Sequence, residues 1–240
     1  MFTQFAGTQN LALTAWLGVW AALLFGGFIF GKPSADNIRR IPLVARLGSS
    51  LALVLAAWSL HLFARETPFF TASGLIAIGM TLGFVGDVFM AMENVIGGMV
   101  GFGLGHLAYI AAIGEFSGRL NLPLAPVAFV VWWLVAVACW YVIVWKGKRG
   151  ARLLKLIALA YSLLLASTAG AATALAVAHG GFIPLAVGAA LFLTSDLIIA
   201  GEMFSGWRFP LIGDVIWLTY GPAQALIVFS TAAALQVSRV

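Results

Sequence analysis

The chain has 240 residues, of which only 8 are Asp or Glu and 13 are Lys or Arg, so 9% are charged, against roughly 25% in an ordinary soluble domain. With 62% hydrophobic residues and a mean hydropathy of +1.05, it carries more apolar surface than a water-exposed fold can hide. A soluble domain, a disordered chain and a nucleic-acid-binding module are excluded, and the net charge of +5 calls for a topological explanation instead.

The charges sit between long uncharged runs, and about 20 apolar residues cross a bilayer once. The expectation is an all-α polytopic membrane bundle of eight helices, forming a single integral membrane domain over residues 1–240. The first helix covers about 10–31; no Lys or Arg precedes it, so it lacks the basic start of a signal peptide and is expected to be retained. The second covers about 42–64 and follows the basic stretch Lys32, Arg39, Arg40 and Arg46. The third, about 70–92, carries Asp87 near its end and Glu93 just beyond it. The fourth, about 96–115, opens on Gly97, Gly101 and Gly105, which share one face and predict close approach of a neighbouring helix. It also carries His106 and, one turn on, Tyr109. The fifth, about 125–145, is rich in tryptophan (Trp132, Trp133, Trp140, Trp145), expected to pack or to face lipid. A second basic stretch, Lys146 to Lys155, leads into the sixth, about 152–178. The uncharged run 156–195 is long enough to cross twice and breaks at His179-Gly180-Gly181, with Pro184 beyond, so the seventh helix covers about 182–201 and carries Asp196. The eighth, about 213–236, holds Tyr220 and Gln224 one turn apart, with Pro222 between them removing one helix hydrogen bond. The only cysteine, Cys139, makes an internal disulfide impossible.

The two basic connections fall on the same side of such a bundle. That side holds ten of the Lys and Arg residues and the other holds three, which places the basic loops in the cytoplasm and both termini away from it. A short segment recurs: Gly86-Asp87 with Glu93 six positions after the Asp, and Ser195-Asp196 with Glu202 six after. Either the chain is a 4+4 parallel repeat or two hydrophobic helices resemble each other by chance.

Ionisable groups inside a membrane are costly and tend to face a cavity or a partner. At 1.5 Å per residue, Asp87 and Asp196 lie at similar depth on the cytoplasmic side, with Tyr220 and Gln224 somewhat deeper and His106 near mid-membrane. Glu93, Glu202 and Asp214 fall at helix ends and are expected to be solvated caps, while His61 and His179 are expected to be interfacial. No metal motif, no nucleophile elbow and no phosphate loop is present, and no cofactor is implied. What remains is a carboxylate pair with a histidine and a tyrosine, which is equipment for acid–base chemistry.

Gly86-Asp87 followed by Gly105-His106-Leu107-Ala108-Tyr109-Ile110 resembles the first motif of the YhhN family, and Thr194-Ser195-Asp196 and Thr219-Tyr220-Gly221-Pro222-Ala223-Gln224 resemble its later elements. Gly221-Pro222 departs from the family pattern after the tyrosine. The resemblance implies a lysoplasmalogenase-like hydrolase of the bacterial inner membrane, with a lysophospholipid as substrate and a fatty aldehyde and a glycerophospho-base as products. Vinyl ethers hydrolyse through protonation of the β-carbon to an oxocarbenium ion, a problem that glycosidases solve with two carboxylates in different environments. On this reading Asp87, Asp196 and His106 are catalytic, with His106 orienting an aspartate or activating water. Tyr220 and Gln224 position substrate or water, and Tyr109 supports His106. A transporter or a lipid-binding membrane protein is the competing class, since it too would place carboxylates inside a bundle. It requires a midplane site reached from both faces, whereas the enzyme requires a one-sided pocket on which both aspartates converge.

Overall fold

A computed structural model describes residues 7–237, which are helical apart from their connections. The helices are α1 (Gly7–Phe30), α2 (Leu43–Phe63), α3 (Phe70–Ala91), α4 (Val95–Leu120), α5 (Pro126–Cys139), α6 (Arg152–Ala178), α7 (Ile183–Ala200), α8 (Ile212–Val228) and α9 (Ser230–Val237). The α5 helix runs on into a π-helical turn, Trp140–Trp145, and α7 into another, Gly201–Ser205. Eight stretches are long and apolar enough to cross a membrane, α8 and α9 forming the last of them together.

Local chemistry sets the ends. Asn94 caps α4, its side chain accepting from the Gly97 amide at 2.9 Å. Pro126 opens α5, where a missing N–H costs nothing. The His179 ring accepts from the Gly181 amide at the turn between α6 and α7. α4 outruns its expected end at 115 by more than a turn. Glu115 and Arg119, one turn apart, pair at 3.5 Å, and Asn121 closes the helix in the left-handed region at φ 53°. These charges belong to an extra helical turn rather than to the loop.

Packing follows one order twice. In the first half α1 lies on α2, α2 on α3 and α3 on α4; in the second α5 lies on α6, α6 on α7 and α7 on α8. The halves then meet reciprocally, α4 against α6 and α8 against α2. Each half thus packs its four helices in chain order. Large apolar side chains such as Val44, Leu62, Leu107, Leu134 and Val177 stand exposed on the outside, where a water-soluble fold would place polar groups.

The α3–α4 pair is the closest contact and relies on missing side chains. A Cβ on Gly101 would stand 2.9 Å from the Gly86 nitrogen, one on Gly105 2.9 Å from the Gly79 carbonyl oxygen, and one on Gly97 2.8 Å from the Phe89 ring. The predicted glycine face of α4 therefore meets α3, and it does so beside Asp87. On the other side of the bundle, indole N–H groups of Trp132, Trp133 and Trp140 bond Thr173, Ser167 and the Lys155 carbonyl, fastening α5 to α6.

The connection between α1 and α2 docks on the start of α8. The Leu211 and Gly213 amides donate to the Asn37 and Ile38 carbonyls. In return the Asp214 carboxylate accepts from the Arg40 amide at 2.6 Å and the Ile41 amide at 2.9 Å. Asp214 is thus 1% exposed and a buried clamp, not the solvated cap expected from its place in the sequence; the amides that make burial tolerable come from a loop 174 residues away. Within that loop, bonds from the Ser34 hydroxyl and the Ile38 amide hold the Asp36 carboxyl below its ordinary pKa.

Candidate active site

Asp87 stands four residues before the end of α3 at Ala91, and Asp196 four before the end of α7 at Ala200. Each is held by a hydroxyl from the second helix of its own half. Ser50 on α2 donates to Asp87 Oδ2 at 2.5 Å. Tyr161 on α6 donates to Asp196 Oδ2 at 2.5 Å, with Ser195 Oγ 3.4 Å from Oδ1. Neither Ser50 nor Tyr161 was singled out by sequence. Their one signal is position, 37 and 35 residues before the respective aspartate.

Asp87 is 4% exposed and ends a longer chain of bonds. Tyr109 OH donates to Gln224 Oε1 at 2.9 Å, Gln224 Nε2 donates to the Tyr220 oxygen at 3.1 Å, and Tyr220 OH donates to Asp87 Oδ2 at 3.0 Å. The chain exists because α3 gives way: a Cβ on Gly83 would stand 2.7 Å from Gln224 Nε2, and one on Gly79 2.4 Å from the Tyr109 ring. α8 continues through Pro222 from Tyr220 to Gln224, so both side chains keep a common face.

The two aspartates line one cavity of about 300 Å³, at the end of the bundle where the α1–α2, α3–α4 and α7–α8 connections lie. Tyr220, Phe102 and Ser195 complete its floor with them. Its mouth carries two cations, Arg39 and Arg46, and two carboxylates, Glu93 and Glu202. Both glutamates were expected to be solvated helix caps; they sit at helix ends but contribute to the cavity wall, because α3 and α7 end on its rim. A second, narrow cleft lies between α4, α5, α6 and α7, lined by apolar side chains including Met99, Trp140, Val144, Ala158, Leu165 and Leu193. It meets the polar cavity at Asp196, Met90, Phe102 and Ile199, which belong to both.

The structure separates His106 from the aspartates. Its Nδ1 lies 2.9 Å from Thr168 Oγ1 on α6, and its Nε2 is buried without a partner. Its ring is edge-on to Phe192 with centroids 4.4 Å apart. The structure does not bring it to an aspartate, because depth does not fix direction around a helix: His106 bonds Thr168 on α6 and does not line the cavity. Tyr109 touches His106 only ring to ring, at 5.7 Å, and spends its hydroxyl on Gln224. Tyr109 and Gln224 are buried and outside the cavity wall. Of Tyr220 and Gln224, expected to position substrate or water, only Tyr220 lines the cavity; Gln224 and Tyr109 stand behind it in the chain of bonds that holds it. Among the described residues no group of three or more His, Cys, Asp or Glu is arranged to hold a metal ion.

A family model, that of the YhhN family, matches residues 43–231. The chain belongs to the YhhN family. No curated protein and no solved structure matched the chain. The YhhN match runs from the first residue of α2 into α9, so it contains Ser50, Asp87, His106, Tyr109, Tyr161, Asp196, Tyr220 and Gln224. Within the YhhN region both copies of the Asp-to-Glu segment open on one cavity. α1 and Arg39 lie outside it.

Proposed function

We propose that this YhhN protein is a lysoplasmalogenase-like hydrolase that cleaves the vinyl ether of a lysophospholipid, releasing a fatty aldehyde and glycerophosphocholine or glycerophosphoethanolamine. The observation that carries this reading is the joint between the two hollows. A polar cavity containing two carboxylates continues into a narrow apolar cleft, and Asp196 stands where they meet. A lipid with one alkenyl chain and a polar head has that same division, and its vinyl ether lies at the boundary.

The chemistry can be followed through the two carboxyl groups. Asp196 borders the cleft and so lies toward the chain; as the acid, it delivers its proton to the β-carbon, where the alkene electrons form the new C–H bond. The ether oxygen shares the resulting cation as an oxocarbenium ion, which the anion of Asp87 stabilises. Asp87, held by two hydroxyl donors on one oxygen and set away from the apolar cleft, serves as the base. It takes a proton from water as the water oxygen bonds the α-carbon. In the hemiacetal the hydroxyl proton returns to Asp196 while Asp87 gives its proton to the departing glycerol oxygen, and the C–O bond breaks. One water is consumed and both carboxyl groups end as they began. Tyr220 holds Asp87 in place, and Gln224 and Tyr109 hold Tyr220.

The cavity opens at one end of the bundle, the end assigned to the cytoplasm by the basic loops, which suits an enzyme better than a transporter with its midplane site. Localisation in the bacterial inner membrane with both termini outside the cytoplasm is part of the proposal. The test is aldehyde release from lysoplasmalogen by the purified protein in detergent. Asp87→Asn and Asp196→Asn keep the side-chain shape, and each is expected to lose at least about a hundredfold in kcat. Full activity in both variants removes the mechanism.

A further inference from the structure

The mouth of the cavity is divided by sign. Arg39 and Arg46 approach from the α1–α2 connection and the first turn of α2, while Glu93 and Glu202 stand at the ends of α3 and α7. The four do not neutralise one another: among the described residues the one ion pair is Glu115 with Arg119. Arg46 lies over the Trp217 ring at 5.7 Å, and its Nε is buried with no hydrogen-bond partner. A buried guanidinium nitrogen without an acceptor is a vacant donor suited to an anion. Arg39 is laid across the start of α8, where a Cβ on Gly213 would stand 2.6 Å from its Cγ, and the neighbouring Arg40 and Ile41 amides are clamped by Asp214. Glu93 is held at φ 60°, a conformation a non-glycine residue rarely adopts. Both glutamates follow their aspartate by six residues, so whatever sets the carboxylate pair in the floor also sets a second pair in the mouth.

We propose that the mouth is a head-group subsite for a zwitterionic phosphodiester, with Arg39 and Arg46 taking the phosphate and Glu93 and Glu202 the ammonium. The inference rests on the reading that a lysolipid occupies the cavity, and it adds the residues that select its head. The mouth carries two charges of each sign on separate walls, so a purely anionic head meets the glutamates and a purely cationic ligand meets the arginines. Only a ligand carrying both signs satisfies both walls.

Glycerophosphocholine and glycerol 3-phosphate, which share the glycerol phosphate and differ in the ammonium, are the probes. Their binding to the purified protein in detergent is measured by calorimetry, with thermal unfolding as the check that each variant is folded. The unaltered protein is expected to bind glycerophosphocholine at least tenfold more tightly. The double variant Glu93→Gln/Glu202→Gln should lose that preference while its affinity for glycerol 3-phosphate stays or rises. Arg46→Gln should weaken both ligands about tenfold. Absence of glycerophosphocholine binding, equal binding by the unaltered protein, or a preference that survives the double substitution overturns the subsite. Binding needs no turnover, so the two readings fail separately. Selective binding without aldehyde release leaves the subsite and sinks the hydrolase; aldehyde release with unchanged selectivity does the reverse.

Discussion

Replacing Gly101 by alanine should lower the proposed hydrolysis more than it unfolds the protein. The added carbon would stand 2.9 Å from the Gly86 nitrogen, 3.0 Å from its Cα and 3.1 Å from the Leu82 carbonyl oxygen. Comfortable carbon contacts begin at about 3.5 Å, so α3 and α4 must separate by roughly half an ångström or more, and no flexible side chain is there to yield. Overpacking of this kind costs about 1 to 3 kcal/mol. Alanine also gains about 1 kcal/mol over glycine in a helix, which hides part of the loss. Gly114 lies on the same helix with nothing within 4 Å of its would-be Cβ, and Gly114→Ala takes the same gain without the clash. The difference in stability between the two variants, measured by thermal unfolding in one detergent, should therefore be about 1 to 3 kcal/mol. The catalytic effect is larger because Gly86 precedes Asp87, whose oxygen is shared by Ser50 on α2 and Tyr220 on α8. Displacing α3 pulls that carboxylate from both donors; since a misplacement near 1 Å is worth about a hundredfold in rate, half that is expected to cost about tenfold or more. Aldehyde release should fall by that order in Gly101→Ala and stay unchanged in Gly114→Ala. Equal stability and equal activity in the two would refute the idea that backbone contact at Gly101 sets the position of Asp87.

Three other outcomes are expected. Asp214→Asn leaves one oxygen to serve two amides and turns an NH₂ toward one of them, so thermal unfolding should report a loss of about 1 to 3 kcal/mol; an unchanged midpoint would mean the clamp is unimportant. His106→Gln should lower stability through the lost Thr168 partner and Phe192 contact yet leave kcat within about threefold, and a hundredfold fall in kcat in a folded variant would return His106 to the chemistry. Ala158→Phe narrows the apolar cleft away from both aspartates and should raise KM for long alkenyl chains at least about tenfold relative to short ones; a uniform change across chain lengths would show that the chain lies elsewhere.

The spans were legible because charged groups avoid lipid, so gaps between charges mark helices to within a few residues. The exception, the extra turn of α4, arises where opposite charges one turn apart pair on the helix itself. The depth of Asp87 and Asp196 was legible for the same reason, rise per residue being fixed. Direction around the axis was not. His106 and Tyr109 lie three residues apart on one face, yet one finds Thr168 and the other Gln224, a division set by which neighbour stands at each height. Ser50 and Tyr161 escaped notice because a lone hydroxyl in an apolar helix usually bonds its own backbone, as Ser59, Ser167 and Thr194 do here. The clamp at Asp214 joins the first connection to the last span, and no local pattern announces a partner 174 residues away.

The two hydroxyls that hold the aspartates differ in reach, and that difference gives the two carboxylates different surroundings. Serine offers its hydroxyl one bond beyond Cβ, so Ser50 can serve Asp87 only if α2 presses close to it, and Asp87 borders the polar cavity but not the apolar cleft. Tyrosine offers its hydroxyl at the far end of a ring. Tyr161 can serve Asp196 across a gap, and the side of that ring becomes a wall of the apolar cleft. One residue choice thus leaves Asp87 facing the polar cavity alone and gives Asp196 the apolar hollow as well. Two aspartates at like places near the ends of α3 and α7 are given different surroundings by the length of the arm that holds each.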